Sequence, residues 1–310
     1  MSRSKIIVIG SLNMDLVVTS PKIPVLGETV LGSGFMTVPG GKGANQAVAV
    51  AKLNGDVAMI GCIGNDTFGK ILIKNLSASK VKVDNIKVVD SVSTGIAMVV
   101  VKDGDNFIIV DPGANSELKP DDIIALEQAI QESSMVVIQL EIPLETVETA
   151  IELANRHAVK VLLNPAPAKK LSDELLSKVD IFTPNESECE IITGLPAKSI
   201  EDAKAAALYL NEKGIHNVLI TLGGKGVVYN NGDQIIHKTV PEVEVVDTTA
   251  AGDSFSGAIA VALTEGMELD AAVDFANIVG TLAVTKKGAQ ASLPDRNAVM
   301  EFMKTGTVVK

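Results

Sequence analysis

The stretch Met135 to Leu163, MVVIQLEIPLETVETAIELANRHAVKVLL, decides the fold. Met135 to Leu140 is a short apolar run of strand length. Leu144 to Asn155 repeats its apolar residues at helical period, and Val159 to Leu163 is a second β-branched run. Strand, helix and strand in succession mean two parallel strands joined by a right-handed crossover, with the helix packed on the sheet. Outward from this unit the alternation continues. Upstream lie Lys5 to Gly10, Ala44 to Leu53, Asp56 to Gly61 and Asp66 to Ser79; downstream lie Ile181 to Thr183, Ile200 to Glu212 and Asn217 to Leu222. Gly252 to Met303 reads as successive Ala/Val-rich helices. The chain is therefore expected to form one open α/β domain over residues 1–310, with ligands at the carboxyl ends of its strands.

Two segments break the alternation. Leu16 to Thr19 with Glu28 to Val38, and Gly95 to Val101 with Asn106 to Val110, are strand-like pairs without an intervening helix, and Lys102-Asp-Gly-Asp105 is a hairpin turn. Four such strands are too few for a domain. They are expected to form a discontinuous β lid, from about residues 12–39 and 92–112, whose uncovered face makes a homodimer contact.

Composition excludes several classes. The 310 residues are 46 % apolar and carry a net charge of −11, with only 3 % aromatic residues and no Trp. Clustered Lys/Arg and stacking aromatics are missing, so nucleic acid is not an expected partner. The longest apolar run is six residues, against about 20 for a membrane helix. No membrane association and a cytoplasmic location are expected. Cys62 and Cys189 are isolated and read as buried free thiols. His157, His216 and His237 lie too far apart in sequence for a zinc site or a Ser/His/Asp triad to be read from them.

The chemistry gathers at Val245-Val-Asp-Thr-Thr-Ala-Ala-Gly-Asp-Ser-Phe255. A β-branched run ends, small residues follow, and Asp253 opens an apolar helix. Small residues let a ligand reach the unpaired N–H groups of a helix start, which makes an anion hole. Asp253 reads either as an N-cap or as a base beside a bound phosphate. Pro39-Gly-Gly-Lys-Gly-Ala-Asn-Gln-Ala47 lacks the Ser/Thr that a Walker A loop needs after its Gly-Lys pair, and Gly10-Ser-Leu-Asn-Met-Asp15 lacks dinucleotide-binding glycines. Asn45 is read as opening the helix behind this glycine loop.

These segments, together with Asn164-Pro-Ala-Pro-Ala168, Thr183-Pro-Asn-Glu-Ser-Glu188, Thr221-Leu-Gly-Gly-Lys-Gly226 and Lys287-Gly-Ala-Gln290, stand in the order and spacing of the ribokinase family of carbohydrate kinases, which the chain resembles over essentially its whole length. The resemblance implies a ribokinase-like three-layer α/β/α sandwich, with a mainly parallel central sheet and a small β-sheet lid. It implies ATP-dependent phosphorylation of D-ribose at O5, giving D-ribose 5-phosphate.

Position by position, the resemblance makes Asp253 the base and makes Ala250, Ala251, Gly252 and Asp253 the anion hole. It assigns Asn13, Asp15, Gly41, Lys42, Gly43, Asn45 and Glu141, with Asp253, to the sugar. Asn185, Thr221, Gly223, Gly224, Gly226, Gly252 and Asn277 are assigned to ATP, and Glu188 to Mg²⁺ through water. Asp247, Thr249, Ala283, Lys286, Gly288 and Ser292 are assigned to an activating K⁺. Other expectations stay open: a kinase of the same family acting on 2-deoxyribose, a ketose or a nucleoside, or a non-catalytic ribose-binding sensor. A dehydrogenase is disfavoured by the missing glycine fingerprint.

Overall fold

The computed structural model describes residues 5–102, 105–230 and 234–308. In chain order its strands are β1 (Lys5–Ile9), β2 (Asn13–Thr19), β3 (Ser33–Gly40), β4 (Asp56–Gly64), β5 (Lys82–Val89), β6 (Gly95–Lys102) and β7 (Asp105–Asp111). There follow β8 (Met135–Ile138), β9 (Lys160–Leu163), β10 (Ile181–Phe182), β11 (Asn217–Thr221), β12 (Val227–Asn230) and β13 (Ile235–Lys238). Nine of them form one sheet in the order β13-β12-β11-β10-β9-β8-β1-β4-β5. Pairing is parallel from β5 to β11, and only β12 and β13 add antiparallel. Residues 135–163 form the expected unit, β8, the helix Leu144–Arg156 and β9, with β8 ending two residues earlier than the apolar run.

The sheet is buried on both faces. In β1, Ile6 and Val8 join one apolar cluster and Ile7 and Ile9 the other, because side chains alternate along a strand. The first cluster packs the helices Lys42–Lys52, Ala251–Thr264 and Leu269–Ala283; the second packs Leu144–Arg156 and Ile200–Glu212. Cys62 and Cys189 are buried and free, and burial pushes both thiols up to about 11.

The other four strands form a separate sheet, β3-β2-β6-β7, in which β2 and β6 run parallel between two antiparallel edges. β3 is shorter than the sequence suggested: Glu28 to Gly32 is not strand, and pairing begins at Ser33. The centre of the expected hairpin turn, residues 103–104, lies outside the described residues, although Lys102 and Asp105 pair across it. No helix among the described residues is long and apolar enough to cross a membrane.

Candidate active site

The helix Ala251–Thr264 starts two residues before Asp253, which is its third residue and not its opening one. The residue that precedes it, Ala250, is left-handed (φ 60°, ψ 10°), and no side chain caps the helix. An alanine Cβ crowds the following carbonyl in that conformation, at roughly 1–2 kcal/mol, and strain of this kind collects at ligand sites. A left-handed residue next to right-handed ones turns successive N–H groups toward one point, forming an anion-binding nest. Ala251 N donates to Thr248 O at 3.2 Å, whereas the N–H groups of Gly252 and Asp253 reach no backbone acceptor. Of the four residues expected to form the anion hole, Ala251 thus has its amide engaged within the protein. A Cβ on Gly252 would meet nothing within 4 Å, so the protein's own packing does not require glycine there.

Asp253 is 7 % exposed, and both its carboxylate oxygens are held. Asn45 Nδ2 donates to Oδ2 at 2.9 Å and Gln46 Nε2 to Oδ1 at 3.0 Å. This accounts for the carboxylate without an N-cap role. Asn45 and Gln46 lie in the first turns of the helix Lys42–Lys52, which begins three residues before the expected Asn45. The two helices cross closely: a Cβ on Gly257 would lie 2.8 Å from Ala49 Cβ. That approach brings the start of one helix against the start of the other.

Of the residues expected to meet the sugar, the structure gathers Asn13, Asp15, Gly41, Lys42 and Glu141. Glu141 Oε2 accepts from the Ser11 hydroxyl at 2.5 Å and from Lys42 N at 3.3 Å. Burial, then the charges of Glu141 and Asp253, push the Asp15 carboxyl up to about 7, with Lys42 opposing. For the Lys42 ammonium burial works downward, but Asp253, Glu141, Glu188 and Asp15 outweigh it and the group is raised. Gly41 has φ +89° and a Cβ there would strike Asn13 N at 2.7 Å. A Cβ on Gly43 would meet the backbone of Gly10 and Ser11 at 2.7 Å, so helix-on-strand packing explains that glycine without a sugar contact.

The residues expected to meet ATP line a cavity of about 740 Å³: Asn185, Thr221, Gly223, Gly224, Gly226, Gly252 and Asn277 all face it, with Phe255, Val243 and Val245 supplying apolar wall. A second cavity of about 180 Å³ is lined by Lys42, Asn164, Glu188, Ala250 and Asp253 and shares Asn185, Thr221 and Gly252 with the first. Asn13, Asp15, Gly41, Gly43, Asn45 and Glu141 line neither. The small cavity thus connects the larger one to Asp253.

Asn185 and Glu188 form a full capping box: the Asn185 side chain accepts from Glu188 N at 2.8 Å, and Glu188 Oε2 accepts from Asn185 N at 2.9 Å. Burial raises the Glu188 carboxyl against the lowering effect of its bond from Asn185 N and the charge of Lys42. Among the described residues no three of His, Cys, Asp and Glu cluster as metal ligands. Asp247 Oδ1 accepts from Thr249 N and Oγ1 at 2.9 and 2.6 Å, and its Oδ2 from Gly288 N at 2.8 Å, joining the two segments expected to hold K⁺. Burial raises the Asp247 carboxyl, yet these bonds leave it lowered overall and therefore ionised. One carboxylate among hydroxyls and carbonyls suits a monovalent ion. Ser292 Oγ donates to Ala289 O.

Sequence reasoning missed several residues that hold the site. Gln46, Gln139, Asn164 and Gln290 form an amide network behind Asp253, and Asn115 bonds Leu12 N, Leu12 O and Asn13 Oδ1 at the start of β2. Each is at most 7 % exposed. A polar residue inside an apolar run, as in Gln139 within Met135 to Leu140, was the available signal.

A family model described as pfkB family carbohydrate kinase matches residues 3–296. The chain is 43 % identical to the ribokinase of Haemophilus influenzae, over 97 % of this chain and 99 % of that protein. It is 39 % identical to a deoxyribokinase of Salmonella typhi, over 96 % and 98 %. Among solved structures, Arabidopsis thaliana ribokinase complexed with ribose and ATP superposes with a TM-score of 0.91 at 34 % identity, covering 97 % of this chain and 99 % of that one.

Proposed function

The chain belongs to the pfkB family of carbohydrate kinases, and on that premise we propose that it transfers the γ-phosphoryl group of ATP to the 5-hydroxyl of D-ribose. The observation that carries this is the place of Asp253: a held carboxylate beside free helix-start amides, in a small cavity that it lines with Lys42 and that shares Asn185, Thr221 and Gly252 with the larger one. Asp253 accepts the proton of the 5-hydroxyl as its oxygen bonds to the γ-phosphorus, and the bond from that phosphorus to the β–γ bridging oxygen breaks, releasing ADP. The N–H groups of Gly252 and Asp253 face the charge that develops on the transferred group, and Lys42 adds a positive charge beside it. Asp15, Glu141 and Asn13 accept from and donate to the sugar hydroxyls.

Asn185 and Glu188 would hold Mg²⁺ through its waters, and the ion would supply charge neutralisation at the phosphates. Asp247, Thr249 and Ser292, with the carbonyls of Ala283, Lys286 and Gly288, would hold K⁺. The four-stranded sheet serves as the lid of a single α/β domain, excluding water from the phosphoryl group. Its exposed cross-strand pair Met98 and Ile109, with Phe35 and Phe107, makes a homodimer contact, which sedimentation of Ile109→Asp as a monomer would support. The protein acts in the cytoplasm. An ADP-release assay with ribose, 2-deoxyribose, fructose and adenosine, in K⁺ and in Na⁺, tests the function. Ribose is expected to be preferred and K⁺ to be faster; preference for another acceptor overturns the named substrate, and equal rates in both ions overturn the K⁺ site.

A further inference from the structure

Gln46 lies at the meeting point of the amides around Asp253, and its orientation is chemically fixed. Its Nε2 donates to two acceptors, Asp253 Oδ1 and Asn164 Oδ1, both at 3.0 Å. Its Oε1 accepts from Gln139 Nε2 at 2.6 Å. Rotating the amide by half a turn would set Oε1 against two acceptor oxygens and Nε2 against a donor. Asn164 is fixed in the same way, because its Nδ2 donates at 2.9 Å to Thr183 O, a backbone carbonyl that cannot exchange roles. Gln139, by contrast, takes its direction from Gln46: its own Oε1 is buried and has no partner among the described residues. Orientation therefore runs from the Thr183 carbonyl, just beyond β10, through Asn164 and Gln46 to one oxygen of Asp253. Asn45, oriented in turn by Gln290 Nε2 at 3.2 Å, holds the other oxygen.

We propose that Gln46 is a positioning residue for phosphoryl transfer, fixing the plane of the Asp253 carboxylate so that a lone pair faces the attacking hydroxyl. This rests on the function proposed above. Gln46 is fully buried and lines neither cavity, so it acts through Asp253 and not by contact with either substrate. With only the Asn45 bond left, the carboxylate would pivot about that contact, and the Lys42 ammonium, in the same small cavity, would draw the freed oxygen away. The residues assigned to the sugar and to ATP would stay where they are.

The test compares the parent with Gln46→Met, which keeps the length and apolar bulk, and Gln46→Glu, which keeps the shape but presents acceptors to acceptors. In both, kcat for ribose is expected to fall about a hundredfold, the size of a loss from small misplacement of a reacting group. KM for ribose and for ATP should stay within about threefold. Active sites are counted by ribose-binding stoichiometry, so that a partly folded variant does not imitate a slow one. A folded variant of either kind whose kcat per binding site lies within about threefold of the parent overturns the proposal, as does a loss confined to KM. If the parent itself fails to phosphorylate ribose, the function falls; if the parent is active and Gln46→Met is equally so, only the role of Gln46 falls.

Discussion

Two helix starts face the same small cavity and are built in opposite ways. At Asn185 each orphan N–H that a side chain can reach is satisfied: Asn185 and Glu188 cap one another reciprocally, and the helix ends on left-handed Gly194. At Ala250 there is no side-chain cap, the preceding residue is strained into the left-handed region, and two amides are left open to the cavity. A cap of the Asn185 kind contributes about 1 kcal/mol. The longer helix forgoes it and is stable without it, because its ten buried residues from Asp253 to Ala262 pack between the sheet and its neighbours. Stability is thus drawn from the body of one helix while its end stays free for an anion, and the neighbouring end is made rigid to hold Glu188.

The largest break in this comparison comes at the open end. Asp253→Asn, of equal size, is expected to lower kcat by more than about a thousandfold while the melting temperature barely moves, since an amide cannot take the hydroxyl proton. Gly252→Val comes next: its side chain would enter the open cavity, so kcat/KM for ATP should fall about a hundredfold with a folded protein, as steady-state kinetics would report.

The third prediction concerns charge. Asp15 titrates at about 7, above its ordinary 3.8, so the folded protein takes up a proton there as pH falls. The ionised form that accepts sugar hydroxyls is gained as pH rises through about 7, and calorimetric ribose affinity should strengthen over that window. Because Asp253 is one of the charges that raise Asp15, the midpoint in Asp253→Asn should lie lower. By the same sign, this one carboxyl contributes stability that declines as pH rises from about 4 toward 7. The smallest effect is at the closed end: Asn185→Ala should cost about 1 kcal/mol in denaturant unfolding and raise the Mg²⁺ concentration needed for half-maximal rate.

The small residues before Asp253 are legible from local geometry alone, whereas Asn185, Glu188 and the glycines after Thr221 are singled out only by the family resemblance, whose motifs are short and local. The exact helix starts are less legible. The sequence pattern points to Asn45 and Asp253 as opening residues, but Lys42 and Ala251 begin their helices, since a positive φ at Gly41 and at Ala250 sets each start and no side chain marks it. β12 and β13 escaped notice because a two-stranded antiparallel extension carries no crossover helix to announce it.

By itself the sequence determined the class of fold and the order of the motifs. Short runs that are continuously apolar, and so apolar on both faces, are those of central parallel strands that helices must cover. Only the tertiary structure decided which distant residues meet. Gln46 and Asp253 lie 207 positions apart, and Asn13 and Asn115 lie 102 apart. Their pairing follows from the crossing of two helices at Gly257 and Ala49 and from the pairing of β2 with β6, whose partner β7 leads the chain back to Asn115, and packing of that kind has no period in the chain.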